Sequence, residues 1–413
     1  MESAQLYSQI LGVVSPWRVT RVDLDMSRQQ VEVFVEFDRD ELARCPECES
    51  KCPRHDTKRK SWQHLDTCQL KTVLTADVPR ASCEQHGVRL MAAPWAAPNS
   101  RFTALFEALV IDWLKIAPTS KVAERLGLGW SVVDGIMQRA VERGLARRPR
   151  RLPRRLGVDE TSFQKRHEYV TVVHDLDTRE VVYVADGRGK QALLGFLQQF
   201  SAEELAQIEV IAMDMHAPYI AAVLESVPGG VAKIAFDKFH VAAVWSKAVD
   251  LVRRQEHREL QAEGDDRLKG SKYKWLRNPT RMSDAAWQAF ETLRESKLRT
   301  ARAWAIKETA MEVWGAHEQE DALRADWKRV LAWAMRSQLE PIKRAAKTIR
   351  DHIEGVLRAQ LFDVTNASAE SINSLIQRSK YMARGYRNRD RFRTAILFFR
   401  GGLDLYPLAS GSA

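Results

Sequence analysis

The sequence has few cysteines and no long apolar run, and each shortage excludes a class of protein. Five cysteines in 413 residues are too few for a disulfide scaffold. The apolar stretches are shorter than the roughly 18 residues that cross a bilayer, and the first residues lack the basic segment of a signal peptide. A hydrophobic content of 45% excludes whole-chain disorder. We therefore expect a folded, cytoplasmic protein of several domains with no membrane segment.

Acidic residues are also in deficit, since 54 Asp and Glu face 64 Lys and Arg and leave a net charge of +10. The basic excess is concentrated in two segments. Residues 147–155, interrupted by prolines, predict an extended basic linker, and 378–400 form a second basic run. We expect both to contact DNA phosphates, although a solvated helix face gives the same pattern. The predicted contacts are Arg147, Arg148, Arg150, Arg151, Arg384, Arg387 and Arg389.

Three of the five cysteines belong to a pattern typical of a metal site. A C-x2-C pair, Cys45 and Cys48, is followed by a C-x2-H pair, Cys83 and His86. Four sulfur and nitrogen ligands suit a tetrahedral zinc ion and leave no open position, so the predicted role is structural. Other ligands remain open at this point, as do simple buried thiols. The alternative ligands are Cys52, His55, His64 and Cys68.

Residues 120–139 predict a helix-turn-helix. A short amphipathic helix is followed by a glycine turn at 127–129 and a second helix. Ser131 and Asp134 have the spacing of a capping box, and Gly144 suits the end of the second helix. An ordinary helical hairpin would give the same periodicity. The outward side chains predicted to read bases are Ser131, Asp134, Gln138 and Arg139.

The remaining chain predicts a mixed sheet interrupted by helices. Short β-like runs after residue 155 give way to alternating strands and helices, and 241–349 is helical throughout. Seven of the twelve tryptophans lie in that helical segment, where we expect most to be core. The fold class is therefore multidomain α+β. The predicted domains are a β and zinc-binding domain at 1–98, the helix-turn-helix at 99–146, the linker at 147–155, a mixed-sheet domain at 156–240 and 350–400, an all-helical insertion at 241–349 and a tail at 401–413.

Three acidic residues lie where a sheet-based site needs them. Asp159 is inside a predicted strand, and Asp214 directly follows the apolar strand 210–213, at the end where ligands of open α/β sheets gather. Glu370 lies on a predicted helix with a polar stripe. The other members of that stripe are Asn366, Asn373 and Gln377. Converging carboxylates need cations, and Mg²⁺ or Mn²⁺ with oxygen ligands fits, unless the three are ordinary surface acids.

The order of these motifs resembles that of the DDE transposases of bacterial insertion sequences, the ISL3 group, along nearly the whole chain. The zinc pairs and the helix-turn-helix are followed by GVDE around Asp159 and MDMH around Asp214. DKFH from Asp237 to His240, NASAESIN around Glu370 and RGYRNR from residue 384 complete the series. The resemblance implies a ribonuclease H-like catalytic domain with a helical insertion, and it matches Asp159, Asp214 and Glu370 to the family's catalytic acids. His86 departs from the cysteine that many relatives carry.

The resemblance also implies a function. We expect a transposase that binds the terminal inverted repeats of an insertion sequence and catalyses metal-dependent DNA cleavage and strand transfer on the bacterial nucleoid, as a dimer or larger assembly on double-stranded DNA. Asp237 and His240 look like an auxiliary pair near the scissile phosphate, although a hydrogen-bonded structural pair fits equally. The alternatives are a ribonuclease H-like structure-specific nuclease and a non-catalytic DNA-binding regulator.

Overall fold

The structure, a computed structural model, describes residues 2–164, 168–277, 279, 282–314, 319–362, 364 and 367–407, without the side chains of 367–370. The chain forms two compact units. The first contains Met1–Pro149, Met382–Arg384 and Gly402–Ala413, and the second contains Arg150–Tyr381 and Gly385–Gly401. Across the described ranges, no helix combines the length and the apolar composition that crossing a membrane requires.

The first unit begins with a five-stranded sheet. Its strands follow the order β1-β2-β6-β5, with β7 paired to β6, and β3 pairs separately with β4. The β2–β6 pair is parallel, whereas the other pairs are antiparallel. The bounds are α1 Ser3–Ile10, β1 Trp17–Asp25, β2 Gln30–Phe37, β3 Ala43–Arg44, β4 Lys51–Cys52, β5 Arg54–Gln63, β6 Lys71–Cys83 and β7 Gly87–Leu90.

Side-chain alternation explains the predicted first strands. On β2, Val31, Val33 and Val35 are buried, whereas the residues between them point away from the core. The predicted β1–β2 antiparallel pair is confirmed. The parallel partner β6 follows β3, β4 and β5 in the chain, and this long-range pairing has no signal in the local sequence.

Three helices complete the main part of the first unit: α2 Ala104–Ile116, α3 Thr119–Leu126 and α4 Trp130–Arg147. Gly127, with φ +62°, ends α3, as the glycine turn predicted. Two details of the prediction are wrong. The N-cap of α4 is Gly129 rather than Ser131, because the helix begins at Trp130, two residues earlier than a Ser131 cap requires. Gly144 lies inside α4 instead of ending it.

The second unit is built on a five-stranded mixed sheet in the order β10-β9-β8-β11-β12. The β10–β9 and β9–β8 pairs are antiparallel, and the β8–β11 and β11–β12 pairs are parallel. This is the mixed sheet that the sequence predicted. The strands are β8 Arg155–Gln164, β9 Glu168–Asp175, β10 Val181–Asp186, β11 Val210–Met213 and β12 Ile234–Phe236.

Helices cover both faces of this sheet. Those between the strands are α5 Lys190–Leu197, α6 Ala202–Ala206, α7 Ala217–Ser226 and a 3-10 turn at Gly230–Ala232. The helical insertion follows, with α8 Lys238–Ala262, α9 Lys272–Leu276, α10 Asp284–Arg294, α11 Arg299–Glu312, α12 Glu320–Arg336 and α13 Glu340–Asp351. The last helices are α14 Ile353–Leu361, α15 Ala367–Met382 and α16 Arg389–Arg400.

The insertion shares one hydrophobic core with one face of the sheet. Leu156 and Val158 of β8 belong to the same buried cluster as four of the seven insertion tryptophans. The tryptophans that are fully or almost fully buried are Trp245, Trp275, Trp304 and Trp327. The opposite face of the sheet packs against α14, α15 and α16. Burial of these large rings accounts for the tryptophan-rich composition of the segment.

Candidate catalytic and zinc sites

Four side chains of the first unit meet at the turn before β4 and at the β6–β7 turn. The ligand atoms of Cys45, Cys48, Cys83 and His86 all lie within 4.8 Å of one another. The Cys48–Cys83 Sγ distance is 3.7 Å, and Nδ1 of His86 lies 3.6 Å from the Cys83 sulfur and 3.7 Å from that of Cys45. Tetrahedral zinc with ordinary bond lengths places two sulfurs about 3.8 Å apart and a sulfur and nitrogen about 3.6 Å apart. The four residues therefore fit zinc.

The local environment favours the thiolate form of one ligand. Sγ of Cys48 lies 3.3 Å from the Ser50 hydroxyl, and hydrogen bonds from Ser50 lower the pKa of the Cys48 thiol to about 6. Burial raises the pKa of Cys45. A metal ligand must be deprotonated, and the Ser50 hydroxyl helps to meet that need.

The alternative ligands lie outside this cluster. Cys52 is buried among apolar side chains of the sheet, and Cys68 is exposed. His64 is buried at the end of β5, where its Nδ1 lies 2.9 Å from the hydroxyl of Thr103. Burial lowers the pKa of His64 to about 4. His55 is paired with a neighbouring aspartate.

In the second unit, three aspartates lie on or directly after neighbouring strands, at the level where β11 and β12 end. The parallel register pairs Gly157 with Ala212, which places Asp159 and Asp214 level two residues further on. Met213 pairs with Phe236 in the same way, so Asp237 follows at the end of β12. Carboxyl ends of parallel strands are where α/β sheets bind ligands. The predicted pair Asp159 and Asp214 is therefore brought together by strand register.

The Asp159 carboxylate is held by two hydrogen bonds. Its Oδ1 accepts a bond from the backbone N–H of Glu160 at 2.7 Å, and its Oδ2 accepts one from Nδ2 of Asn373 at 2.7 Å. Burial, helped by the nearby carboxylates of Asp214 and Asp237, raises the pKa of Asp159 to about 6 against the opposing effects of the Glu160 amide and His240. A carboxylate so destabilised by its surroundings favours binding of a cation.

Asp214 supplies the observation that points most directly to a metal. Its Oδ1 is buried and has no hydrogen-bond partner among the described residues. An orphaned carboxylate oxygen beside a second carboxylate suits a hard divalent cation, which binds oxygen ligands. Asp159 and Asp214 therefore fit Mg²⁺ or Mn²⁺.

Asp237 and His240 form a hydrogen-bonded pair at the start of α8. The Asp237 carboxylate caps the helix by accepting bonds from the backbone N–H groups of Phe239 and His240, at 2.7 and 3.1 Å. Nε2 of His240 lies 3.4 Å from the same carboxylate. Asp237 is 1% exposed, and these contacts make it the cap that begins α8. Its electrostatic effect on Asp159 also places the pair beside the acids.

The third predicted acid is on α15. The helix is confirmed, with Ala367 as its first residue, and Glu370 lies in its first turn. The side chain of Glu370 and all of Asn366 lie outside the described residues. Asn373 and Gln377, from the same predicted polar stripe, both face β8 and bond to it. Sequence reasoning placed these two amides on the stripe but assigned them no role, although their spacing was the available signal.

Three family models match consecutive parts of the chain. The family model described as "Transposase" of the ISL3 group matches residues 156–396. Residues 91–141 match the helix-turn-helix domain of transposase family ISL3, and 41–86 match the zinc-finger of transposase IS204/IS1001/IS1096/IS1165. The chain belongs to the ISL3 family of transposases.

Named relatives span nearly the same length as this transposase. It is 27% identical over 417 residues to the transposase for insertion sequence element IS1557 of Mycobacterium tuberculosis, covering 90% of this chain and 92% of the relative. It is 25% identical over 354 residues to the transposase for insertion sequence element IS1001 of Bordetella parapertussis, covering 84% and 86%. The predicted family, the DDE-type catalytic domain and the DNA-binding helix-turn-helix are thereby confirmed.

In the helix-turn-helix of this transposase, the predicted base-reading residues have different surroundings. Ser131 and Gln138 are exposed on α4. Arg139 instead donates a hydrogen bond at 2.8 Å to Glu107 of α2, a carboxylate that is only 1% exposed. Arg143 lies 3.6 Å from the same carboxylate. A buried carboxylate needs cationic partners, so Arg139 has a structural role that the sequence did not reveal.

The predicted linker arginines are also engaged in part. Arg147 is in the last turn of α4, not in the linker, and donates to the carboxylate of Asp404 and the carbonyl of Tyr406. Arg150 forms a two-point ion pair with Glu204 at 2.9 Å. Arg148 is half-buried, and Arg151 is exposed. These partners reduce the number of linker guanidinium groups available to phosphates.

The carboxyl-terminal basic segment contains a break between α15 and α16. Arg384 and Gly385 adopt positive φ values of 56° and 90° there. The side chains of Arg384 and Arg387 are exposed, and Arg389 is exposed with an ion pair to Glu168 at 3.2 Å. The basic run at 378–400 therefore covers the end of α15, the break and all of α16, and the DNA contacts of these arginines stay a prediction.

Proposed function

We propose that this transposase binds the terminal inverted repeats of its insertion sequence and cleaves and joins DNA strands by metal-dependent phosphoryl transfer. Asp159, Asp214 and Glu370 are the proposed catalytic acids. The observation that carries the proposal is the juxtaposition of Asp159 and Asp214 on adjacent strands, with Oδ1 of Asp214 lacking a partner in the described part of the chain.

The residues of the site have distinct tasks in this proposal. Asp159 presents an oriented carboxylate, since each of its oxygens accepts a hydrogen bond. Asp214, directly after the neighbouring strand, presents an oxygen without a partner in the described ranges. When bound, two Mg²⁺ or Mn²⁺ ions would stabilise the attacking and leaving oxygens of the displacement. The charges of Asp237 and His240 influence the Asp159 carboxylate, and Asp237 also caps the start of α8. No covalent link to the protein is needed.

The amino-terminal modules would supply DNA recognition. We propose that Cys45, Cys48, Cys83 and His86 hold a structural zinc ion, which their tetrahedral spacing supports. Exposed Ser131 and Gln138 would read bases in the major groove, and the exposed arginines at 151, 384 and 387 would contact phosphates. Because two ends must be cut together, we propose that a dimer or larger assembly forms on double-stranded DNA of the bacterial nucleoid.

Single substitutions of the acids test the catalytic assignment. Asp159→Asn, Asp214→Asn and Glu370→Gln keep shape and remove charge, and each should abolish Mg²⁺-dependent cleavage of an oligonucleotide duplex bearing the element's end. Binding of that duplex, measured by gel shift, should remain close to wild type. Retained cleavage by Asp214→Asn would overturn the assignment.

The same assay separates the other activities. If the wild-type protein cleaved branched or gapped DNA without preference for element ends, it would be a structure-specific nuclease. End binding with no cleavage of any duplex at any Mg²⁺ or Mn²⁺ concentration would indicate a DNA-binding regulator. Cleavage at the element ends followed by joining to a target duplex is the result that we expect.

A further inference from the structure

Asn373 donates the one side-chain hydrogen bond that the Asp159 carboxylate accepts among the described residues. Its Nδ2 donates to Oδ2 of Asp159 at 2.7 Å and lies 3.4 Å from the carbonyl of Glu160. Since Oδ1 is already held by a backbone N–H, the Asn373 bond fixes the second oxygen and with it the rotation of the carboxylate plane. Each oxygen keeps a further lone pair for another partner.

The contact belongs to a ladder between α15 and β8. One helical turn beyond Asn373, Gln377 donates to the hydroxyl of Thr161 at 2.7 Å and lies 3.3 Å from the carbonyl of Ser162. Lys380 then donates to the Ser162 carbonyl at 2.8 Å. Four helical residues rise about 6 Å. Two strand residues advance about 6.6 Å. The matched spacing lets successive amides of α15 meet successive same-face residues of β8.

A neutral amide is a suitable donor for orienting a carboxylate that binds a metal ion. A neutral amide orients a carboxylate without adding positive charge, whereas a lysine or arginine in the same place would compete with a cation for the negative charge. The same helix carries Glu370 three residues earlier, just under one turn away along the backbone. Glu370 therefore lies on the same helix that contacts the strand carrying Asp159.

We propose that Asn373 is a positioning residue that holds the Asp159 carboxylate in its metal-binding orientation. This inference rests on the proposed function, because it assigns a metal to Asp159. Groups that orient metal ligands typically contribute 10- to 100-fold to metal affinity or activity.

Mn²⁺ binding to the full-length, zinc-loaded protein without DNA tests the proposal directly. Isothermal titration should show Mn²⁺ binding about 10-fold weaker in Asn373→Ala than in wild type. Asn373→Leu, which keeps the branched shape and the number of side-chain heavy atoms without a donor, should weaken it similarly, so that a cavity cannot explain the result. Gln377→Ala is the matched control, since it removes two comparable hydrogen bonds between the same helix and strand without touching Asp159.

The control distinguishes orientation of the carboxylate from general loosening of α15. We expect Gln377→Ala to lower the melting temperature about as much as Asn373→Ala while changing the Mn²⁺ affinity less than about 2-fold. Equal loss of affinity in both variants, or wild-type affinity in both Asn373 variants, would overturn the positioning role. Asp214→Asn separates the two proposals. If that variant lost Mn²⁺ binding while Asn373→Ala kept it, only the inference about Asn373 would fall. Unchanged Mn²⁺ binding in Asp214→Asn would remove the metal site and the positioning role with it.

Discussion

Gly144, in the interior of α4, packs directly against Leu403 of the carboxyl-terminal segment. A β-carbon at position 144 would lie 2.7 Å from the β-carbon of Leu403 and 3.2 Å from the carbonyl oxygen of Asp404. Arg143 donates to the carbonyl of Leu405 at 2.8 Å, and Leu405 is buried. The chain after residue 401 is therefore part of the helix-turn-helix unit, which it reaches after the catalytic domain is complete.

We predict that Gly144→Ala destabilises the first unit despite the better helix propensity of alanine. The added methyl group would overlap with the side chain of Leu403, and such overpacking costs about 1–3 kcal/mol. Gly135→Ala is the matched control, because a β-carbon there meets only the flexible end of Arg139, at 3.5 Å. That variant should gain up to about 1 kcal/mol. Thermal unfolding and proteolysis of the terminal segment measure both effects, and equal stabilisation by the two substitutions would contradict the packing.

Zinc content should follow the four clustered ligands. Purified protein should contain about one zinc per chain, and Cys83→Ser should lose it together with the folded state of the β module. The remaining cysteines provide two controls, since exposed Cys68 and buried Cys52 lie outside the cluster. Cys68→Ser and Cys52→Ala should keep the metal. Elemental analysis and circular dichroism check the prediction, and folded, metal-free Cys83→Ser would refute it.

His174 should make the second unit sensitive to acid. Its ring is buried over Gly157, neither ring nitrogen has a hydrogen-bond partner among the described residues, and burial lowers its pKa to about 4. Because this pKa is below the ordinary value of 6.5, the neutral ring stabilises the fold fully above pH 6.5 and less as the pH falls towards 4.

The loss between pH 7.5 and 5 amounts to about 2 kcal/mol for one such histidine. We predict that His174→Leu removes about this much of the difference in unfolding free energy between the two pH values. Urea unfolding followed by tryptophan fluorescence suits the measurement, because Trp245 and Trp275 are buried in the core of this unit. An unchanged pH dependence would show that His174 does not titrate on unfolding.

Two neighbouring residues of α4 should separate DNA reading from folding. Arg139→Ala removes a hydrogen-bonded cation from buried Glu107 and should lower stability by about 2 kcal/mol. Gln138→Ala, at an exposed position, should change stability by less than about 0.5 kcal/mol. It should instead reduce the preference for the terminal repeat over a scrambled duplex. Melting curves and competitive gel shifts test both variants, and loss of preference without loss of stability in Arg139→Ala would return that residue to the base-reading set.

Some of the candidate site is encoded locally. Asp214 could be predicted because an apolar strand directly precedes it, and the zinc ligands could be predicted because two short pairs carry soft donor atoms at fixed spacing. Glu107 could not, since an acid on an apolar helix gives no sign of the arginines that bury it. The same holds for Gly144, whose neighbour Leu403 is more than 250 residues away in the chain.

The sequence by itself determined the family, the order of the modules and the tryptophan-rich character of the insertion, and it predicted Asp159 and Asp214 as candidate acids, because periodicity and short motifs depend on neighbouring residues. Only the tertiary structure decided three relationships. Asp159 and Asp214 lie level on neighbouring strands, Asn373 donates a hydrogen bond to the Asp159 carboxylate, and Arg139 donates one to buried Glu107. Those relationships depend on strand register and helix packing, which are set by contacts between distant segments and leave no local pattern.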